Sequence, residues 1–132
     1  QWVVEDGDAF MSYLGDNASH LYFRIIAGGS STTFDTGYEM KLNQWQFIVL
    51  TYNGSKMQVY VDGELKGSKS KSGSLQSVDG ISIGNDKFSG YDWYSGKIQE
   101  VRIYNHVLSP QEINYLYSVG KRGLHTSDKR SL

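Results

Sequence analysis

Apolar and polar residues alternate along several short stretches of this chain, the pattern of β-strands that bury one face. Residues 9–14 and 20–27 are the first two such stretches, and Gly15-Asp16-Asn17 between them has turn-forming side chains. Residues 28–37 are rich in Gly, Ser and Thr, and this composition predicts a loop or a weak edge strand.

The strongest strand pattern spans residues 45–52, where both sets of alternate residues are mostly apolar. One set is Trp45, Phe47, Val49 and Thr51, and the other is Ile48, Leu50 and Tyr52. Apolar side chains on both faces predict a central strand that is covered on both sides.

Two turns follow this strand and predict successive hairpins. Asn53-Gly54-Ser55 leads into a strand at residues 56–61, whose residues Met57, Val59 and Val61 share a face. Asp62-Gly63 is a two-residue hairpin signal, since both turn positions require positive φ, and it predicts a next strand at 64–69. Lysines scattered over 66–74 indicate either a protected sheet edge or an exposed loop.

A short strand at residues 80–84, an aromatic loop at 85–95 and a strand at 96–104 come next. The alternation in the last strand shifts by one residue near Gln99-Glu100, which predicts a β-bulge.

A helix is predicted to begin after this strand. Ser109 and Glu112 have the spacing of a capping box, and Pro110 suits the first helical position. Ile113, Leu116 and Tyr117 fall on one side of the helix, which would pack on the sheets, and Gly120 would end it. We therefore expect a domain at 1–119 and a polar tail at 120–132.

Composition excludes several classes of function. The formal net charge of −1 argues against a nucleic-acid partner, which requires a basic surface. The chain has no Cys, so it has no thiolate chemistry. No apolar run approaches the roughly 20 residues that cross a bilayer, so membrane insertion is not expected.

Several ordered motifs between residues 45 and 117 resemble laminin-G-like jelly-roll domains of the concanavalin A-like lectin and glucanase superfamily. They are Trp45, Tyr52-Asn53-Gly54, Tyr60-Val61-Asp62-Gly63, Ile83-Gly84, residues 96–105 (GKIQEVRIYN) and residues 108–113 (LSPQEI). The resemblance implies an all-β, antiparallel β-sandwich of jelly-roll type with one short C-terminal helix. It also implies further strands upstream, ending in a Trp-containing strand that residues 1–4 match, so the first strands would be missing from this chain.

The family resemblance further implies binding of sugars or proteins by loops at the sandwich edge, with calcium in many members. Such domains occur on cell surfaces, in secreted modular proteins and on virus particles. Glycosidases of the superfamily carry a Glu-x-Asp-x-(x)-Glu strand motif that places two carboxylates in a cleft, and this chain lacks it. The three histidines are scattered and no Gly-x-Ser-x-Gly turn is present, so we expect no enzymatic activity. Glu100 and Arg102 would share a strand face, where an ion pair with a neighbouring strand or support for the packed helix is favoured over a ligand contact.

The loop at residues 85–95 is the best candidate for binding, because loops on a rigid sandwich commonly carry function. Its candidate ligand-binding residues are Asn85, Asp86, Tyr91, Asp92, Trp93 and Tyr94. Aromatic rings stack on sugar rings, while Asn and Asp bond hydroxyl groups. The same aromatic residues would equally suit packing on the core or on a neighbouring subunit.

Calcium prefers six to eight oxygen ligands, of which Asp86 and Asp92 would supply some, as would Asp16 and Asn17. Neither pair of residues has a spacing in the sequence that is specific to calcium sites.

Together these observations predict a non-catalytic recognition or adhesion module of a larger surface or secreted protein. Its partner would be a glycan or a surface protein, at an extracellular, cell-surface or virion location. The alternative is a structural assembly domain of a virion or cell-surface layer, which would contact neighbouring subunits.

Overall fold

The structure is a computed structural model that describes residues 2–6, 9–15, 20–77, 80–84 and 94–130. Its elements in chain order are β1 (Trp2–Asp6), β2 (Phe10–Leu14), β3 (His20–Ala27), β4 (Ser30–Glu39), β5 (Ile48–Tyr52), β6 (Lys56–Val61), β7 (Glu64–Ser70), β8 (Ile81–Ile83) and α1 (Pro110–Arg130).

The strands form two antiparallel sheets packed face to face. The first sheet has the order β4-β3-β2-β1-β8, and the second has the order β5-β6-β7. Every pair of neighbouring strands is antiparallel. The predicted antiparallel β-sandwich with a C-terminal helix is confirmed, and the Trp-containing segment at the start of the chain is a strand, β1.

The core lies between β3 and β6. Alternate residues of these two strands are at most 3 % exposed and pack in one cluster: Leu21, Phe23, Ile25, Ala27, Met57, Val59 and Val61. Burying a side chain of this size contributes roughly 1.5–3 kcal/mol, so this cluster supplies much of the stability of the sandwich.

β5 is covered on both faces, as its sequence predicts. Ile48, Leu50 and Tyr52 pack on the core, whereas Phe47 and Val49 pack on the cluster below the helix. The prediction of a central strand that spans residues 45–52 is wrong, however. The strand begins at Ile48, and within the described residues it pairs with β6 alone, so β6 is the middle strand.

Both predicted hairpins are confirmed. Asp62 and Gly63 have φ angles of 52° and 83°, the conformation that a tight two-residue turn requires. In the other turn, the Asn53 side-chain oxygen accepts hydrogen bonds from the backbone N–H groups of Ser55 and Lys56. These turns fix the register in which β6 presents its apolar face to the core.

Most of residues 28–37, predicted as a loop or a weak edge strand, belong to an edge strand, β4, which begins at Ser30. β4 runs for ten residues, and its alternate residues, among them Phe34 and Tyr38, are half-buried. Gly28 and Gly29 make the turn from β3 with φ angles of 58° and 77°. Pairing with β3 and the burial of one face outweigh the weak strand propensity of the Gly and Ser residues.

The first part of the segment with scattered lysines, residues 66–74, belongs to an edge strand, β7. This strand closes one side of the sandwich against β4. Lys69 Nζ donates to the Thr33 carbonyl oxygen at 3.0 Å, and Lys71 Nζ donates to Ser30 Oγ at 2.7 Å. A Cβ atom at Gly67 would lie 2.7 Å from the ring of Phe34, so only glycine allows this approach of the two sheets.

The predicted strand at 96–104 is wrong. These residues are irregular and exposed, although Glu100 has a φ of 59° at the point where the alternation shifts. None of their backbone groups has a backbone hydrogen-bond partner among the described residues. A strand pattern needs a neighbouring strand, and the described part of the chain supplies none here.

The helix begins as predicted. Ser109 N–H donates to Glu112 Oε2 at 2.7 Å, and Glu112 N–H donates to Ser109 Oγ at 3.2 Å, which is a reciprocal capping box. Ile113 is fully buried against Tyr60 and Leu108.

The predicted end of the helix at Gly120 is wrong, because α1 continues to Arg130 across the expected boundary at residue 119. A glycine inside a helix costs only about 1 kcal/mol relative to alanine and does not force a stop.

We expect Ile113→Ala to destabilise the domain by about 2–5 kcal/mol, because it leaves a cavity between α1 and the second sheet. Chemical denaturation followed by circular dichroism measures this change. Val119→Ala, at a position 44 % exposed on the same helix, is the control and should cost less than about 1 kcal/mol. Equal effects of the two substitutions would contradict the docking of α1 through Ile113.

Candidate functional site

Most of the predicted binding loop lies outside the described residues. These positions are Asn85, Asp86, Tyr91, Asp92 and Trp93, and the alternative calcium ligands Asp16 and Asn17 also lie outside.

Tyr94 is the one predicted site residue that the structure describes. Its N–H donates to the Gly84 carbonyl oxygen at 2.8 Å, which anchors this end of the loop beside β8. Its half-buried ring lies over Gly96, where a Cβ atom would come within 2.8 Å of the ring. The Tyr94 ring therefore packs on the backbone of its own segment at Gly96.

The described residues form a polar cleft beside the turn between β6 and β7. Its volume is about 370 Å³. The residues that line it are Tyr38, Lys41, Val61, Asp62, Glu64, Lys66 and Tyr117. We refer to these residues as the polar cleft.

One wall of the polar cleft is a charged pair set against an aromatic ring. Lys66 Nζ lies 2.7 Å from Glu64 Oε2 and 5.6 Å from the centre of the Tyr38 ring. The hydrogen bond from Lys66 lowers the pKa of the Glu64 carboxyl, and the same bond raises the pKa of Lys66. Both groups therefore stay charged over the physiological pH range, but their exposure to solvent weakens the attraction.

Hydrogen bonds hold the other residues of the polar cleft in place. Asp62 Oδ1 accepts from the Phe47 N–H at 2.9 Å. Tyr38 donates its hydroxyl proton to Gln46 Oε1 at 2.9 Å, and the Gln46 amide in turn bonds both backbone groups of Lys41. Among the described residues, neither the Lys41 ammonium nor Asp62 Oδ2 has a hydrogen-bond partner, so both are available to a ligand.

The helix supplies the remaining wall. The Tyr117 ring stacks on Phe47 with centres 6.1 Å apart, and Lys121 Nζ lies 6.0 Å from the centre of the Tyr117 ring. The cleft thus combines two tyrosine rings with an available donor and an available acceptor. That chemistry suits a ligand with hydroxyl groups beside apolar ring faces.

A second cleft lies between the first turns of α1 and the segment that precedes it, with a volume of about 400 Å³. The residues that line it are Tyr104, His106, Leu108, Gln111, Glu112, Tyr115 and Leu116. Tyr104 and His106 pack edge to face, with ring centres 5.6 Å apart. Its one carboxylate, that of Glu112, already caps the helix, which makes this cleft the weaker candidate for a polar ligand.

Glu100 and Arg102 form an ion pair with each other at 2.8 Å within one exposed segment, rather than with a neighbouring strand, which is one of the two structural roles that the sequence predicts. The Tyr104 oxygen and the Glu100 carboxylate raise the pKa of Arg102.

A cluster of three polar side chains joins β3 and β4. His20 Nδ1 lies 3.2 Å from Asp35, and His20 Nε2 lies 3.9 Å from Glu39. The two carboxylates approach different ring nitrogens, so the three side chains do not surround a common point. Within the described ranges, no group of three or more His, Asp or Glu side chains is placed to hold a metal ion.

Comparison with known protein families gives one decisive finding. Residues 1–114 match the laminin-G-type family model that is described as the concanavalin A-like lectin/glucanases superfamily. The chain belongs to this superfamily. The family suggested by the sequence motifs is therefore confirmed.

The laminin-G-like chain is also similar to a crystal structure of an S-layer domain-containing protein (residues 221–444) from Clostridium thermocellum ATCC 27405. The sequences are 18% identical, the match covers 89% of this chain and 67% of that chain, and the TM-score is 0.45. A similarity of this size supports no statement about function. A search of curated proteins gives no match.

The sequence of the laminin-G-like domain did not indicate the polar cleft. Tyr38, Asp62 and Tyr117 come from β4, a hairpin turn and the helix, which are distant in sequence. The hairpin signal at Asp62-Gly63 located one wall, but only the docking of α1 brings Tyr117 beside it. Among the described residues, no helix has the length and apolar character that crossing a bilayer requires.

We expect an NMR titration to find the pKa of Asp35 lowered, because the Gly37 N–H donates to its carboxylate at 2.9 Å and His20 adds a smaller effect. A lowered pKa in the folded state means that this carboxylate stabilises the fold at neutral pH. The contribution is lost as the pH falls through that pKa. His20→Ala should leave most of the shift in place, and a return to the ordinary pKa would contradict the leading role of Gly37.

Proposed function

We propose that this domain is a non-catalytic recognition module of a larger surface or secreted protein, and that it binds carbohydrate in the polar cleft. The observation that carries the proposal is the pairing of tyrosine rings with an available Lys41 ammonium and an available Asp62 oxygen. Sugars offer apolar ring faces to aromatic side chains, and their hydroxyl groups both donate and accept hydrogen bonds.

The position of the polar cleft supports this function. It lies at the end of the sandwich where the turn after β6 and the loop after β4 meet the helix. The backbone bonds between Phe47 and Asp62 hold this end in place before any ligand arrives. A preformed site of this kind loses little conformational entropy on binding.

The partner in this proposal is a glycan, carried on a polymer or on a surface protein, at an extracellular, cell-surface or virion location. The formal charge of −1 fits a neutral sugar better than a strongly acidic polymer. Assembly with neighbouring subunits is the second candidate, and the exposed apolar side chains of residues 96–107 favour it.

The aromatic loop stays a separate prediction. Asn85, Asp86, Tyr91, Asp92 and Trp93 would extend the recognition surface, and Asp86 and Asp92 would hold calcium if the ion is bound. Each expectation has its own test, since neither depends on the polar cleft.

Lys41→Ala tests the polar cleft. A glycan array identifies ligands of the unmodified domain, and calorimetry then measures affinity. Loss of a charged hydrogen bond costs about 1.5–3 kcal/mol, so we expect affinity to fall roughly ten- to a hundredfold. Lys56→Ala is the matched control, because this exposed lysine begins β6 at the end remote from the cleft. An array without ligands, or equal affinities for the two variants, would contradict the proposal.

Trp93→Ala tests the loop in the same assay. If the loop contributes, the affinity falls while the thermal unfolding temperature stays unchanged. Repeating the titration with a calcium chelator tests the ion, because affinity falls only if calcium orders the binding surface. Full affinity in both experiments would overturn the loop and calcium predictions and leave the polar cleft as the site.

A further inference from the structure

The strand β4 contains a bulge near the end that leads to the polar cleft. Tyr22 of β3 pairs with Asp35 of β4. His20, two residues earlier in β3, pairs with Glu39, so residues 36–38 of β4 lie opposite a single residue of β3. Extra residues of this kind bend a strand and change where its side chains point, which is why bulges often lie beside functional sites.

Hydrogen bonds within the bulge set the position of Tyr38, which lines the polar cleft. Thr36 Oγ1 donates to the Leu21 carbonyl oxygen at 2.7 Å and accepts from the Tyr38 N–H at 3.1 Å, so it bridges the two strands where their register shifts. The Tyr38 hydroxyl donates to Gln46, whose side-chain amide bonds both backbone groups of Lys41. The bulge is therefore connected to two residues of the polar cleft, Tyr38 and Lys41.

His20 spans this bulge from the neighbouring strand. Its Nδ1 lies 3.2 Å from Asp35, just before the bulge, and its Nε2 lies 3.9 Å from Glu39, just after it. The Asp35 carboxylate is itself fixed, because the Gly37 N–H donates to it at 2.9 Å and the Tyr22 side chain bonds it as well. One imidazole ring thus approaches both ends of the bulge, with a different nitrogen at each end.

The charge of the imidazole ring decides whether both contacts are attractive. A neutral imidazole has one N–H group and one unprotonated nitrogen, so it donates to one carboxylate while its lone pair faces the other. The imidazolium ion has an N–H group at both positions and attracts both carboxylates. Histidine is the side chain whose charge ordinarily changes between about pH 5 and pH 8. The bulge is therefore held at both ends at mildly acidic pH and at one end at higher pH.

The groups around His20 keep their charges over this range. In the described part of the chain, Asp35 and Glu39 are the charged groups that face the ring from β4. β2 has no charged residue, and its Tyr13 stacks on a tyrosine of β3 with ring centres 5.0 Å apart. On β3 itself, Arg24 lies on the same face and bonds the sulfur of a β2 methionine at 3.7 Å. Carboxyl groups ordinarily titrate below this range, whereas tyrosine and arginine titrate above it.

We propose that His20 is a positioning residue for the polar cleft, and that its protonation fixes the bulge of β4 and thereby the places of Tyr38 and Lys41. Ligand binding in the cleft is then stronger at mildly acidic pH than at higher pH. This pH dependence of affinity rests on the proposed function, since it requires a ligand in the cleft, whereas the coupling of His20 to Tyr38 exists without one. Exposed charged pairs are weak, so we expect an effect on affinity of about two- to fivefold.

An NMR titration of the ligand-free domain between about pH 5 and pH 8 tests the coupling. The ring protons of His20 report its charge, and the side-chain amide of Gln46 reports the hydrogen bond from Tyr38. We expect the Gln46 amide and the backbone amide of Lys41 to shift with the same midpoint as the His20 ring. His20→Gln keeps a polar side chain that cannot become charged, and it should abolish these shifts. His106→Gln, in the second cleft, is the control and should leave them unchanged.

Glu39→Gln decides the matter if His20→Gln does not fold. It removes the charge at one end of the bulge from a side chain that is 77 % exposed, and it should remove most of the Gln46 shift. The proposal is overturned if the Gln46 and Lys41 amides do not follow the His20 ring, or if their shifts persist in both variants.

Calorimetry with a neutral oligosaccharide then measures affinity at about pH 5.5 and pH 8. The unmodified domain and His106→Gln should bind about two- to fivefold more tightly at the lower pH, and His20→Gln should bind equally at both. Equal affinities of the unmodified domain at the two pH values would overturn the proposed pH dependence. A domain that shows the NMR coupling but binds no glycan would contradict the proposed function and support the positioning role of His20.

Discussion

The contact between the buried faces of β3 and β6 holds the two sheets together, and the other elements take their positions from it. β3 contributes Leu21, Phe23 and Ile25, and β6 contributes Met57 and Val59, all nearly or fully buried. The side-chain period of a strand is two, so a slip of one residue in either strand would turn its apolar face outward. The tight turns on both sides of β6 prevent that slip. The outward face of the same strand presents Tyr60 to the helix, which makes β6 the link between the core and α1.

The two long sides of the sandwich differ in how completely they are closed. On the β4 and β7 side, the absence of a side chain at Gly67 allows the ring of Phe34 to approach, and lysine ammonium groups bond across the gap. On the β5 and β8 side, apolar side chains remain exposed and a strand edge lacks a partner within the described residues. The polar cleft belongs to the closed side.

Local features of the sequence predicted most of the fold, because their physical causes are local. The turns at Asn53-Gly54 and Asp62-Gly63, the capping box at Ser109 and the alternation in residues 56–61 depend on neighbouring residues, and all are observed. Features that depend on distant partners were predicted poorly. Residues 96–104 have strand propensity but no described neighbour. Gly120 permits a helix end but does not impose one.

The candidate site was less accessible to sequence reasoning than the fold. The loop at 85–95 was recognisable by its composition, whereas the polar cleft arises from three elements that meet only after α1 docks through Ile113. No local signal joins Lys41, Asp62 and Tyr117. Their common chemistry is a consequence of topology, and a reader of the sequence alone has no means of placing them together.

The central claim is that the polar cleft is the recognition surface of this laminin-G-like domain. Chemical-shift mapping of the isotope-labelled domain with a bound oligosaccharide tests it most directly. We expect the largest perturbations to fall on the amides of Lys41, Asp62, Lys66 and Tyr117. Perturbations centred on Tyr104, Gln111 and Tyr115, with the polar cleft unaffected, would contradict it.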